Sequence, residues 1–206
     1  HSSGPQYGIW QHMIEPLVEV DYDKKDYYGV LAESWKFQGN SWVFQLRKGV
    51  RFHDGSPFTA QDVVHSVNRI KNDKRSLQKS NFDDLTEIKA LDDHTVVFTT
   101  AQPNAVLLDR LQNRFIVSKI AAEKYGDEVD QHAIGTGPYK FVSWQRDGNL
   151  VVTRHDQYWG NKAAIKEIVT RRVKEDAGRV AIAATELATN LIKHGSGGEL
   201  LVGPFE

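Results

Sequence analysis

The chain has 206 residues, 40% of them hydrophobic, enough to bury a core in one large domain or two small ones. Its 26 Lys and Arg stand against 27 Asp and Glu, so no strong field exists to gather nucleic acid or an anionic membrane surface, and a polynucleotide partner is disfavoured. The absence of cysteine excludes disulfides, thiolate metal sites and cysteine nucleophiles without locating the protein in any compartment. The first residue is His1, and no basic start with an apolar run follows it, so the native N-terminus is expected upstream. No apolar stretch approaches the roughly 20 residues that span a bilayer.

In chain order, Trp42 to Leu46 alternates large apolar with polar residues before Arg47, Lys48 and Gly49, the pattern of a half-buried strand ending in a turn. Val50 to Phe52 is expected to continue the sheet. His53-Asp54-Gly55-Ser56-Pro57 concentrates turn formers, because glycine tolerates positive φ and proline fixes its own φ while offering no donor. Thr59 with Asp62 three residues later resembles a capping box, and Ala60, Val63, Val64, Val67 and Ile70 recur at helical spacing. Leu85 to Ala90 and Thr95 to Thr100 flank Leu91-Asp92-Asp93-His94 and read as a hairpin. Ser118 can cap a short helix, Lys119 to Tyr125, that stops at Gly126. A second hairpin pairs Tyr139 to Trp144 with Asn149 to His155 around Arg146-Asp147-Gly148. No internal repeat, low-complexity tract or Pro-rich linker divides the chain.

Catalytic patterns are weak. The eight histidines include no His-Glu-x-x-His or comparable ligand spacing, so no metal site is expected. Asp83-Asp84 and Asp92-Asp93 read as solvated turn formers rather than an acid and base pair. Gly135-Thr136-Gly137-Pro138 lacks a following Gly-Lys-Ser/Thr, and Pro138 offers no donor, so a structural turn is expected there instead of a phosphate loop. Gly195-Ser196-Gly197-Gly198 has the same deficiency and follows a helical pattern that glycine commonly stops.

Leu31-Ala32-Glu33-Ser34-Trp35, followed by Trp42 through Gly55 and by Phe58-Thr59-Ala60-Gln61-Asp62-Val63-Val64, resembles the signature of the family 5 extracellular solute-binding proteins, the peptide, nickel and opine receptors of ABC importers. Gly135-Thr136-Gly137-Pro138-Tyr139 and Asp156-Gln157-Tyr158-Trp159-Gly160 continue the resemblance in order, so that it covers residues 1–174. It implies a mixed α/β lobe of the type II periplasmic binding protein kind, incomplete because the second lobe is missing. It also implies a monomeric receptor in the periplasm or outside the cell that closes on a peptide or small solute and presents it to a membrane permease. Binding, not catalysis, is the implied chemistry, and no cofactor is implied. Trp35, Trp42 and Phe52 are expected to build the core, with Gly55 and Pro57 shaping the turn before the capped helix.

A peptide cleft needs aromatic walls and a few groups that fix the termini, because burying a lone ammonium or carboxylate is costly. By position, Tyr7, Trp10 and His12 near the start and Arg114 in Leu111-Gln112-Asn113-Arg114-Phe115 are candidate ligand-binding residues. Trp10 reads equally as a packing residue, and Arg114 as a surface or ion-paired one.

Residues 175–206 read as a separate helix and strand. Thr185-Glu186-Leu187-Ala188-Thr189-Asn190 followed by Gly195 resembles the N-box of the histidine-kinase-like ATPases, closest to the anti-sigma serine kinases. The resemblance implies a carboxylate at Glu186 that activates the attacking group and an Asn190 amide that coordinates magnesium, four residues apart on one helical face. That chemistry requires a downstream Asp-x-Gly-x-Gly segment, which this sequence lacks, so ATP binding is not expected. The preferred reading of the segment is a plain amphipathic helix with Val180, Ala184, Leu187 and Leu191 on its apolar face and Gly195 stopping it. The leading expectation is a solute-binding lobe with impaired transport activity. The alternative is a fragment of a serine-kinase-type ATPase behind a foreign N-terminal part.

Overall fold

The computed structural model describes residues 6–74, 76–112, 114–126, 132–145 and 149–170. The chain forms two units, Ile14–Thr136 and a second built from residues 1–13 with 137–206. The architecture is mixed α and β, as the sequence implies.

The Ile14–Thr136 unit is organised by an antiparallel sheet of β3 (Ala32–Gln38), β4 (Ser41–Leu46), β5 (Leu85–Asp92) and β6 (Thr95–Thr100), in the order β3-β4-β6-β5. Strand β4 is central, and its alternation places Trp42, Phe44 and Leu46 inward, each at most 7% exposed. Ring pairs continue the row: Phe37 lies 4.7 Å from Trp42, and Phe44 meets Phe98 of β6 edge to face at 5.4 Å. Complete burial of a side chain such as Phe44 contributes about 2 kcal/mol relative to leaving it in water. Trp35 is half-buried and flanks this core, while Phe52 is fully within it.

The expected β5–β6 hairpin forms, with Ile88 opposite Phe98. The continuation of the sheet through Val50–Phe52 does not. Gly49 adopts φ +76° and turns the chain away; Arg51 then makes an isolated bridge to Pro57, and the Phe52 N–H donates to the Ser56 carbonyl at 2.9 Å. The turn residues therefore pair with themselves rather than with β4.

Helix α2 (Ala60–Asn72) packs against β5 and β6 and buries Ala60, Val63, Ser66 and Val67. Its start follows the capping pattern: the Thr59 N–H and hydroxyl both donate to Asp62 Oδ2, at 2.8 and 3.0 Å. The other carboxylate oxygen accepts the Lys119 N–H at 2.8 Å, at the first residue of α4 (Lys119–Tyr125). Helix α4 also takes its expected cap, Ser118 Oγ accepting from the Ala121 N–H, and ends at Gly126. One buried aspartate thus satisfies donors at two helix starts.

Helix α3 (Leu107–Leu111) buries Leu107, Leu108 and Leu111. Its Arg110 pairs with Asp84 at 2.7 Å, and Asn104 donates to the other Asp84 oxygen. Asp84 is therefore a half-buried ion-pair partner, which corrects the reading of it as a solvated turn former. A small hairpin of β1 (Val18–Asp21) and β2 (Asp26–Gly29) precedes the main sheet.

The second unit contains α1 (Gln6–Met13) and the sheet β7 (Tyr139–Trp144), β8 (Leu150–Arg154) and β9 (Glu167–Thr170), ordered β7-β8-β9 and antiparallel throughout. The expected β7–β8 hairpin is present, while its Arg146-Asp147-Gly148 turn lies outside the described residues. Tyr139, Leu150 and Val152 are buried, and α1 packs on β7. Among the described residues no helix is long and apolar enough to cross a membrane.

Candidate functional site

Helix α1 carries three of the four ligand-binding candidates. Ile9 and Met13, four residues apart, are 4% and 0% exposed and form the buried stripe of the helix. Trp10 and His12 are half-buried beside that stripe. Tyr7 lies within α1, and its side chain is outside the described set. The His12 ring meets Tyr139 of β7 edge to face, with centroids 6.4 Å apart.

The loop leading into β7 explains how α1 is held. Gly137 donates its N–H to the Met13 carbonyl at 3.0 Å. A Cβ at this position would stand 2.5 Å from the His12 carbonyl oxygen and 2.8 Å from the Met13 carbonyl carbon, so only glycine permits this approach. Tyr139 is fully buried, and its hydroxyl donates to the Ile165 carbonyl at 3.0 Å. Burial pushes the phenol up to about 12, with the Arg154 charge working in the opposite direction, so the group is a neutral donor at any physiological pH. His155 is buried, with Nδ1 3.4 Å from the Gly137 carbonyl; desolvation first, and then the Lys140 charge, hold it below the usual imidazole value.

Arg114, the fourth candidate, belongs to the Ile14–Thr136 unit. It follows α3, its N–H donating to the Leu111 carbonyl at 3.1 Å, and its guanidinium Nη2 donates to Gln78 Oε1 at 2.8 Å. Part of its donor fork is therefore engaged within its own unit. Glu186 and Asn190 of the ATPase-like segment lie outside the described residues.

Sequence reasoning missed a buried polar group in the same unit. Glu15 is 5% exposed and accepts from the Thr136 hydroxyl at 2.8 Å, while its backbone carbonyl takes the Ile116 N–H at 3.0 Å. Next to it, Gly135 exchanges bonds with His53: the His53 N–H donates to the Gly135 carbonyl at 2.8 Å, and the Gly135 N–H donates to Nδ1 at 3.3 Å. Gly135-Thr136-Gly137-Pro138 carries a bend over residues 136–138 held by backbone and side-chain bonds, in keeping with the structural turn expected there. Its partners, Glu15 and His53, had no local signal because they lie 121 and 82 residues away. Among the described residues, no group of three or more His, Cys, Asp or Glu could hold a metal ion.

Comparison with known proteins gives these groups a context. The family described as bacterial extracellular solute-binding proteins, family 5 Middle, matches residues 26–190. The probable D,D-dipeptide-binding periplasmic protein DdpA of Escherichia coli strain K12 is 31% identical over 182 residues, covering 84% of this chain and 35% of that protein. The glutathione-binding protein GsiB of Pectobacterium atrosepticum is 32% identical over 183 residues, covering 86% of this chain and 35% of that one. Among solved structures, the ABC transporter-associated periplasmic binding protein DppA from Helicobacter pylori, in complex with the peptide STSA, superposes with a TM-score of 0.77 at 28% identity, over 90% of this chain and 41% of that one. The chain spans about a third of the length of the curated relatives it matches.

Proposed function

The chain belongs to the bacterial extracellular solute-binding proteins, family 5, and from that premise we propose that it is part of the substrate-binding component of an ABC importer, with a peptide or related small solute as ligand. The observation that carries the reading is the family match over residues 26–190, joined to relatives named for dipeptide and glutathione binding. The role is that of a receptor rather than an enzyme: capture of a solute in the periplasm or outside the cell, and delivery to a membrane permease. The receptor acts as a monomer.

Within this reading Tyr7, Trp10 and His12 supply an aromatic wall from α1, and Arg114 supplies a cation that orients a carboxylate. Support for α1 comes from its anchoring, since Ile9, Met13 and the Gly137 approach fix the helix while Trp10 stays partly accessible. A preformed wall of this kind lowers the ordering cost of binding. The solute-binding part is proposed to span residues 1–174, while the proposed second part, 175–206, in which the family match ends at residue 190, lies outside the described residues.

The test is calorimetric titration of the purified chain with a pool of di- and oligopeptides, with Mg-ATP in a parallel sample. Saturable peptide heat with no ATP response is the expected result. Heat from ATP alone would overturn the receptor reading.

A further inference from the structure

The turn before α2 contains Asp54 followed by Gly55, the aspartyl pair most prone to spontaneous rearrangement of the peptide backbone, because glycine places no Cβ in the way of ring closure. In that reaction the Gly55 nitrogen attacks Asp54 Cγ. The new C–N bond forms as one water leaves, made from the hydroxyl of the protonated carboxyl and the amide proton, and gives a succinimide. Water then opens the ring, either restoring aspartate or breaking the original Asp54 carbonyl to Gly55 nitrogen bond to leave an isoaspartate, whose backbone runs through Cβ. No oxidant, reductant or other reactant is needed.

Both reacting groups are occupied in this fold. The nucleophile, the Gly55 N–H, donates to the Phe52 carbonyl at 2.9 Å. The electrophile's oxygen, Asp54 Oδ1, accepts from the Ser56 N–H at 2.9 Å and from the Ser56 hydroxyl at 2.6 Å. Gly55 is also fixed at φ +87°, with its carbonyl taking the Arg51 Nη1 at 2.8 Å. Ring closure requires the carboxyl to leave Ser56 and swing onto the Gly55 nitrogen, and requires that nitrogen to release Phe52. We infer that Asp54 is a latent isoaspartate site, exposed to solvent and kept closed to rearrangement by the hydrogen bonds of its own native turn. Rearrangement would add a backbone atom between Phe52 and Ser56, whose mutual bond closes the turn, and would shift His53, which is tied to Gly135.

Tryptic cleavage after Arg51 and Arg69 isolates this site from the other Asp-Gly pair, Asp147-Gly148, so isoaspartate in the Phe52 to Arg69 peptide can be followed by electron-transfer fragmentation after timed incubation. Four samples decide the matter: the native chain, folded Ser56→Ala, folded Ser56→Thr, and the native sequence held in urea. The native chain should accumulate isoaspartate slowest. Ser56→Ala should raise the rate about fivefold, the factor for losing one ordinary hydrogen bond, and urea should raise it further. Ser56→Thr keeps the hydroxyl and should stay at the native rate, and with the urea comparison it decides the matter if Ser56→Ala does not fold. Equal rates in the native and urea samples, or an unchanged rate in folded Ser56→Ala, would overturn the inference.

Discussion

The Thr136 hydroxyl donates to the Glu15 carboxylate at 2.8 Å across 121 residues of sequence, with Thr136 fully buried and Glu15 5% exposed. The bond ties the start of the Ile14–Thr136 unit to its end. Thr136→Val keeps the shape and removes the donor, so it takes one partner from a buried acceptor. It should destabilise the protein by about 1–3 kcal/mol. A lowered urea midpoint at an unchanged m-value is the expected outcome, and an unchanged midpoint would mean that the bond adds nothing net.

Gly137→Ala tests a different kind of constraint nearby. The added Cβ would stand 2.5 Å from the His12 carbonyl oxygen and 2.9 Å from the His12 carbonyl carbon, and neither is the end of a flexible side chain. Backbone must move, at a cost of about 1–3 kcal/mol by analogy with overpacked cores. Thermal unfolding of the variant should show this loss; a melting temperature within error of the parent would show that α1 yields without penalty.

At the head of α2, Asp62 serves two helices, accepting from Thr59 on one oxygen and from Lys119 on the other. Thr59→Ala removes one contribution and should cost about 1 kcal/mol. Asp62→Ala strips acceptors from both helix starts and should cost more than Thr59→Ala does. The order of the two urea midpoints is the readout, and equal midpoints would refute a double role.

These cases also show what could be read from sequence. The Thr59–Asp62 box, the Ser118 cap, the Gly126 stop and the two main hairpins each rest on residues within a few positions of one another, where spacing carries the signal. The link from Asp62 to Lys119 does not, because it depends on where α4 lands 57 residues later. The β1–β2 hairpin lacked the usual cue, its loop running through Tyr22 to Lys25 without glycine and with Lys25 itself at φ +54°. The Val50–Phe52 expectation failed because apolar character was weighed above Gly49, whose positive φ ends the sheet direction. Of the site, the α1 residues and Arg114 were reached by position alone, and the bond from Arg114 to Gln78 had no local signal because the two lie 36 residues apart.

Two histidines give the fold a pH dependence of definite sign. Desolvation holds His65 of α2 and His155 of the second unit below the ordinary value of 6.5, with Arg69 adding to the effect at His65 and Lys140 at His155. The unfolded chain therefore binds protons at a pH where the folded one does not. Stability is at its full value above about 6.5 and declines as pH falls from there toward the folded-state values. Urea midpoints should drop between pH 7.5 and 5.5, and the drop should shrink in His155→Gln. A decline of the same size in that variant would exclude His155 as a source.

Trp10 carries the last prediction, which bears on function. Its helix is pinned through Ile9 and Met13 on one stripe, so removing a half-buried neighbour leaves the anchor in place. Trp10→Ala should therefore keep the unfolding midpoint nearly unchanged while weakening binding of the peptide pool roughly fivefold or more, about 1 kcal/mol and the level that marks a significant contact. Trp10→Phe, which preserves an aromatic face, should lose less. If Kd is unchanged in Trp10→Ala while the unfolding midpoint falls, the indole packs within its unit and the solute wall has to be sought elsewhere.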